Sequence, residues 1–127
     1  MIAGTGFRIV DIDEVWPRYA VRAERSLAGE AHLAWVLDEC RSKRALCLEC
    51  DDGIVVLAMG PSDSGTRAKA LLAVGDAGAL RRREAELVTV AQDIGAAEVS
   101  FRTDRRAWRR LLGARWRTDG DRFWRAT

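Results

Sequence analysis

Cys47 and Cys50 stand three residues apart in Cys47-Leu48-Glu49-Cys50, the spacing of a redox disulfide or of half a zinc site. Both chemistries need the two sulfurs on one side of the backbone. The run Ala45 to Cys50 (ALCLEC) reads as a strand, and strand residues three apart point to opposite faces. The pair is therefore expected neither to chelate one ion nor to close easily on itself. Structural zinc also takes four ligands, and only Cys40 and His32 remain to complete a set. Three cysteines fit buried free thiols better than a disulfide framework, and no metal is expected. His32, the one histidine, stands where a helix starts and reads as a surface or capping residue. With no nucleophile-elbow motif beside it, no Ser-His-Asp set is recognisable.

The other candidate chemistry lies in the last third of the chain. From Ala97 to Thr127 nine arginines face four acids, a local balance of +5, with Trp108, Trp116, Phe123 and Trp124 interleaved. Arginine beside aromatic rings can grip nucleic acid through phosphate contact and stacking. The same pairing forms hot spots between proteins, and it also describes a solvated helix face over core tryptophans. A formal charge of only +2 for the whole chain sets nucleic acid behind a protein contact. Arg105, Trp108, Arg109 and Arg110 are the candidate contact residues, on a short helix that Asp104 can cap and Gly113 ends.

The elements that must position these groups follow from periodicity. Phe7 to Ile12 (FRIVDI) reads as a strand. Asp11 or Asp13 can cap the helix after it, with Pro17 near its first turn and Trp16, Tyr19, Ala20, Ala23 and Leu27 on one face. A second helix from Glu30 to Ser42 has Leu33, Val36, Leu37 and Cys40 as its buried stripe. Ala45 to Cys50 and Ile54 to Met59 flank Asp51-Asp52-Gly53 as a hairpin, and Ile54 to Met59, apolar on both faces, fits the centre of a covered sheet. Gly60 to Thr66 (GPSDSGT) reads as a loop and Ala68 to Val74 as a strand. One helix is expected from about Ala79 to Ile94, then a strand from Glu98 to Arg102 parallel to Ala68–Val74. A last hairpin pairs Arg115–Thr118 with Asp121–Arg125 around Asp119-Gly120, both expected at positive φ.

The chain has 127 residues, 48% of them apolar, which suits one domain spanning 1–127. Nearly every base is arginine, the lysines being Lys43 and Lys69. No apolar run reaches the roughly 20 residues a membrane span needs, and the first residues lack a secretory pattern. No membrane partner is expected, and the expected compartment is the cytoplasm.

The order strand-helix-helix-strand-strand-strand-helix-strand-helix-strand-strand resembles, over the whole chain, the GNAT family of acyl-CoA N-acyltransferases. The matching marks are the two N-terminal helices, the Asp51-Asp52-Gly53 hairpin, the glycine-containing turn after Val74, and the segment Phe101 to Trp116. The resemblance implies a mixed α/β (α+β) fold: a mostly antiparallel sheet with a central parallel pair and helices on both faces. In that family the turn after the fourth strand opens on Gln or Arg and carries two small residues, and its amides and helix N-terminus hold the coenzyme A diphosphate. Here the turn reads Val74-Gly75-Asp76-Ala77-Gly78-Ala79, so the resemblance assigns cofactor contact to Val74, Gly75, Ala77, Gly78 and Ala79. No Gln or Arg opens it, Asp76 brings negative charge where the diphosphate would lie, and Arg81, Arg82 and Arg83 follow with the opposite sign.

The family often uses a carboxylate base near the fourth strand and a tyrosine acid in the last helix. The matching strand carries no acid, and Trp108 and Arg109 stand where the tyrosine would be. Tyr19, on the first helix face, reads as core, which leaves Glu49 and Glu98 as the catalytic candidates. Two functions follow from the resemblance. One is an acyl-CoA-dependent N-acyltransferase that passes an acetyl group from acetyl-CoA to a primary amine of a small molecule or peptide. The other is a non-catalytic GNAT-like component, such as a phage or prophage virion-associated protein, whose arginine-aromatic end meets a protein partner or a second copy. A split between the two parallel strands favours the enzyme. A closed split, or Asp76 pointing into it, favours the binding protein.

Overall fold

Asp11 links the first two elements. It ends β1 (Arg8–Val10), and its carboxylate accepts from the Asp13 amide at 2.9 Å to start α1 (Ile12–Glu24). In this computed structural model, which describes residues 2, 4–25, 29–103 and 113–127, α1 buries Ile12, Val15 and Ala23. Trp16 and Tyr19 pack at the margin of that face rather than at its centre, and Leu27 lies outside the described residues. Pro17 falls in the second turn, not the first; its ring lacks the N–H that would reach the Asp13 carbonyl. α2 (Glu30–Arg41) buries Leu33, Val36 and Cys40, as its 3–4 spacing predicts.

β2 (Ala45–Cys50), β3 (Gly53–Ser62) and β4 (Gly65–Gly75) form an antiparallel meander. The stretch expected as a loop is mostly strand: Gly60, Pro61 and Ser62 pair with Arg67, Thr66 and Gly65, leaving Asp63 and Ser64 as the turn. The hairpin runs past the core into solvent there. Backbone pairing continues without an apolar pattern to mark it.

α3 (Ala77–Arg82) and α4 (Glu84–Asp93) replace the single helix expected from Ala79 to Ile94. The break falls at Arg83, whose amide bonds the Leu80 carbonyl three residues back and whose guanidinium is held by Asp52 at 2.6 Å and Glu86 at 2.9 Å. β5 (Glu98–Arg102) follows, then β6 (Arg117–Asp119) and β7 (Arg122–Ala126). The helix expected from Asp104 to Leu112 lies outside the described residues. In the last hairpin Asp119 is already paired with Arg122, so the turn is Gly120-Asp121. Only the glycine has positive φ, at +62°. One glycine leading the turn meets the twist requirement that two positive-φ residues were expected to meet.

The sheet order is β1-β2-β3-β4-β5-β7-β6, antiparallel throughout except for the parallel pair β4–β5. α1 and α2 cover one face and α4 the other, each over its own apolar core. β3 serves both: Ile54 and Val56 point to the first core, Val55 and Leu57 to the second, and all four are buried. As far as Leu57 this is the covered central strand that its apolar run predicts; Met59, past the cores, is exposed.

Candidate functional site

β4 and β5 pair over four rows, from Arg67–Glu98 to Ala70–Phe101. β4 then continues to Gly75, whereas β5 ends at Arg102. Beyond Ala70 the pairing stops, and among the described residues Leu71 to Gly75 present a strand edge that β5 does not pair. The departure coincides with a β-bulge. Pairing with β3 jumps from Leu57↔Ala70 to Val56↔Leu72, which leaves Leu71 as the extra residue. Below the bulge Ala68 and Ala70 pack on the α4 side; above it Leu72 and Val74 pack on the α1/α2 side. The Leu71 carbonyl meets His32 Nε2 of α2 at 2.8 Å. A carbonyl only accepts, so this ring nitrogen carries the proton. His32 is thus half-buried and tied to the sheet, where a surface or capping residue was expected. Trp35, 44% exposed, lies against its ring at 5.6 Å.

β4 ends in the turn that the resemblance singled out. Val74 is buried in the first core. Gly75, at φ +141°, faces Gly53 directly across the β3–β4 ladder. Asp76 caps α3: its Oδ1 accepts from the Ala79 amide at 3.0 Å, and its own amide donates to the Asp52 carbonyl at 3.0 Å. The carboxylate therefore turns back onto its own helix and takes an amide that an external anion would otherwise use. Gly78 lies in that first turn with Arg82 close by, and the Ala79 side chain is buried.

The two candidate carboxylates are not brought together. Glu49, on β2, stands level with Val74 across the sheet but two strands away, roughly 10 Å. Arg8 donates to it at 2.6 Å, and Arg18 and Tyr19 each donate at 2.8 Å. Burial pushes its carboxyl up, but the Tyr19 and Arg8 hydrogen bonds and the charges of Arg18 and Arg8 outweigh that, and it sits below the ordinary glutamate range. Burial, then the bond to Glu49, raises the Tyr19 phenol to about 12. Tyr19, expected as plain core, is thus a half-buried donor to the buried Glu49.

Glu98 pairs with Arg67 at the far end of the parallel rows, about 20 Å along β4 from Val74. It accepts from Arg67 at 2.6 Å, Ser64 at 3.0 Å and Arg122 at 3.2 Å. Its carboxyl is likewise lowered, the Arg67 and Ser64 bonds and the charges of Arg67 and Arg122 overcoming burial.

Cys47 packs in the α1/α2 core and Cys50 in the α4 core, on opposite faces as their strand spacing requires. Cys40, Cys47 and Cys50 are all free and buried. Burial raises the Cys40 thiol and pushes Cys47 up to about 12. At pH 8 an aromatic disulfide reagent is therefore expected to label almost none of the native protein within minutes and all three thiols after unfolding. Fast labelling of the native chain would contradict this burial.

The arginine-aromatic segment divides. Arg105, Trp108, Arg109 and Arg110 lie outside the described residues. Phe123 is buried, and Trp116 packs against the α4 core and donates to Glu84. Phe101 joins them, stacking on Phe123 at 5.2 Å and meeting the Trp116 ring edge-on at 5.3 Å. Trp124 instead carries the Arg122 guanidinium over its ring at 4.4 Å. Among the described residues no group of three or more His, Cys, Asp and Glu side chains could hold a metal, and no helix is long and apolar enough to cross a membrane.

No protein-family model matches the sequence, and no curated protein matches it. Solved structures match the fold. A GNAT family N-acetyltransferase, YhbS from Escherichia coli in complex with CoA, superposes with a TM-score of 0.68 at 14% identity, over 94% of this chain and 79% of its own. A chain of the AtaT-AtaR complex bound to DNA superposes at 0.50 with 10% identity, over 94% of this chain and 93% of its own. The chain has a GNAT-like fold, with one parallel strand pair in a mostly antiparallel sheet.

Proposed function

We propose that this protein is an acyl-CoA-dependent N-acyltransferase that passes an acetyl group to a primary amine of a small molecule or peptide. The observation that carries this reading is the end of β4–β5 pairing after Ala70, which we read as the split, in a fold that superposes on a CoA-bound neighbour. Among the described residues no strand pairs Leu72 to Gly75 on the β5 side, and that edge fits the amide-bearing arm of coenzyme A, because backbone N–H and C=O groups on a strand edge need partners. The diphosphate end would meet the Gly78 turn and Arg82, with the Ala79 amide already used by Asp76. Acetyl-CoA bound there would supply a thioester carbonyl open to attack by a neutral amine: the new C–N bond would replace the C–S bond, and coenzyme A would leave as the thiol, carrying the proton that the amine nitrogen gives up.

Neither Glu49 nor Glu98 is assigned the proton of that amine. A base works best with a pKa near the operating pH, and both carboxyls are held below the ordinary range by their ion pairs. Their part in the reading is to hold β1, α1, β5 and β7 in place, and the acceptor would lose its proton to water before it reaches the split.

The test is calorimetric titration with acetyl-CoA and with coenzyme A. Micromolar binding is expected, and an amine screen would then identify the acceptor. No heat up to millimolar ligand would overturn the enzyme reading and leave the second one, a GNAT-like binding protein that has kept the fold without its cofactor. One observation favours that alternative: Asp76 itself fills part of the anion position.

A further inference from the structure

We propose that His32 is a positioning residue: its bond to the Leu71 carbonyl holds β4 in the bulged register from which the split opens. Three observations converge on this one atom pair. The His32 Nε2–Leu71 O distance is 2.8 Å. Leu71 is the residue that the β3–β4 register leaves over. The next residue down, Ala70, is the last that β4 pairs with β5.

The physical consequence is local and directional. Leu71 is buried, and an extra strand residue has no ladder partner on β3. Its carbonyl needs a donor from outside the sheet, and α2 supplies one. Without that donor the favourable alternative is to erase the bulge. A strand moved by one residue exchanges the faces of everything beyond the slip. Leu72 and Val74 would then leave the α1/α2 core for the α4 side, where Ala68 and Ala70 already pack. The strand edge from Leu71 to Gly75 would turn with them. His32 is thereby coupled to the shape of the split without touching anything bound in it. As a statement about β4 this stands on the geometry alone; as a statement about cofactor affinity it rests on the acyltransferase reading.

Three variants test it, His32→Ala, His32→Leu and His32→Gln, the last keeping an N–H donor on a side chain of similar reach. Amide hydrogen exchange is followed by NMR at Leu72 and Val74, with Val55 on β3 as the internal control. The expected result is exchange at least about tenfold faster at Leu72 and Val74 in His32→Ala and His32→Leu, little change at Val55, and recovery in His32→Gln. A ring-nitrogen spectrum of the unaltered protein should show His32 protonated on Nε2, a signature that needs no variant to fold. Affinity for acetyl-CoA should fall about tenfold in His32→Ala and return in His32→Gln. Unchanged exchange at Leu72 and Val74 in His32→Ala, or a His32 ring protonated only on Nδ1, would overturn the proposal. If the unaltered protein binds no acetyl-CoA, the acyltransferase reading fails, and the exchange and tautomer results still decide the role of His32.

Discussion

Gly75→Ala is expected to cost about 3 kcal/mol of folding stability and to lower the melting temperature by roughly 10 °C. Two effects add. Gly75 sits at φ +141°, a region that residues with a Cβ rarely enter. Its missing side chain also points at the opposite strand: a Cβ there would fall 2.7 Å from the Gly53 Cα and closer still to the Asp52 carbonyl. Neither neighbour is a flexible side-chain tip that could swing away, so the β3–β4 ladder itself would have to open. It would open where Asp52 O receives the Asp76 amide, which would loosen the α3 cap as well. Gly78→Ala is the matched control. A Cβ at Gly78 meets its nearest atoms at 3.6 and 3.7 Å, which is ordinary contact, and alanine is the better helix former. Thermal unfolding followed by circular dichroism should find Gly78→Ala at or slightly above the parent. A Gly75→Ala protein melting within a degree or two of the parent would show that this backbone contact is not held in solution.

Glu98→Ala is expected to cost about 2 kcal/mol, and Glu98→Gln appreciably less. The carboxylate is 10% exposed and joins four segments: β5 itself, Arg67 of β4, Arg122 of β7 and Ser64 of the β3–β4 turn. The two arginines are only 25% and 28% exposed, so removing their partner strands charges that water reaches poorly. Glutamine loses the charge and one acceptor, its NH2 being a donor, but keeps one oxygen for Arg67 or Ser64. Urea titration of the three proteins would measure the order.

The same group predicts an acid dependence. Its folded pKa is lowered from an ordinary 4.5, so its contribution is fully present above about pH 4.5 and is lost as the pH falls through the lower folded value. Glu49 acts with the same sign. The stability gap between parent and Glu98→Gln should therefore be constant from pH 8 to 5 and close below about pH 4.5. A gap that widened in acid would reverse the sign and refute the depressed value. If acyl transfer is found, Glu98→Gln should leave its pH profile unmoved, because this carboxylate stands at the opposite end of the parallel pair from the turn.

Much of this molecule was legible in its residue order because local chemistry and global position agree. The run Ile54 to Leu57 is buried on both faces with both cores against it, while Met59 at the end of the apolar stretch is exposed. Cys47 and Cys50, three apart on a strand, had to part company across the sheet, and they do. Asp11 before an apolar helical face caps α1. In each case the rule spans a few residues, and nothing distant overrides it.

The errors lie where a distant partner decides. The charge run Arg81-Arg82-Arg83 reads as the outer face of one long helix, but Asp52, some thirty residues earlier, holds Arg83 and the helix breaks there. The strand Gly60–Ser62 reads as loop because its backbone pairs without an apolar pattern. His32 reads as a surface or capping residue; only its i, i+3 spacing from Trp35 hinted at more, since its partner is a backbone carbonyl on a bulge that composition cannot reveal.

By itself, then, the residue order determined the succession of strands, the parallel pair and the faces of the core, since these follow from periods of 2 and 3.6 that neighbouring residues carry. Tertiary structure alone decided what the candidate residues do. It clamped Glu49 and Glu98 in ion pairs, made Gly75 a packing glycine against Gly53, and brought His32 to Leu71. Hydrogen bonds and charge pairs act over about 3 Å between residues thirty or forty positions apart, and no local pattern carries their address.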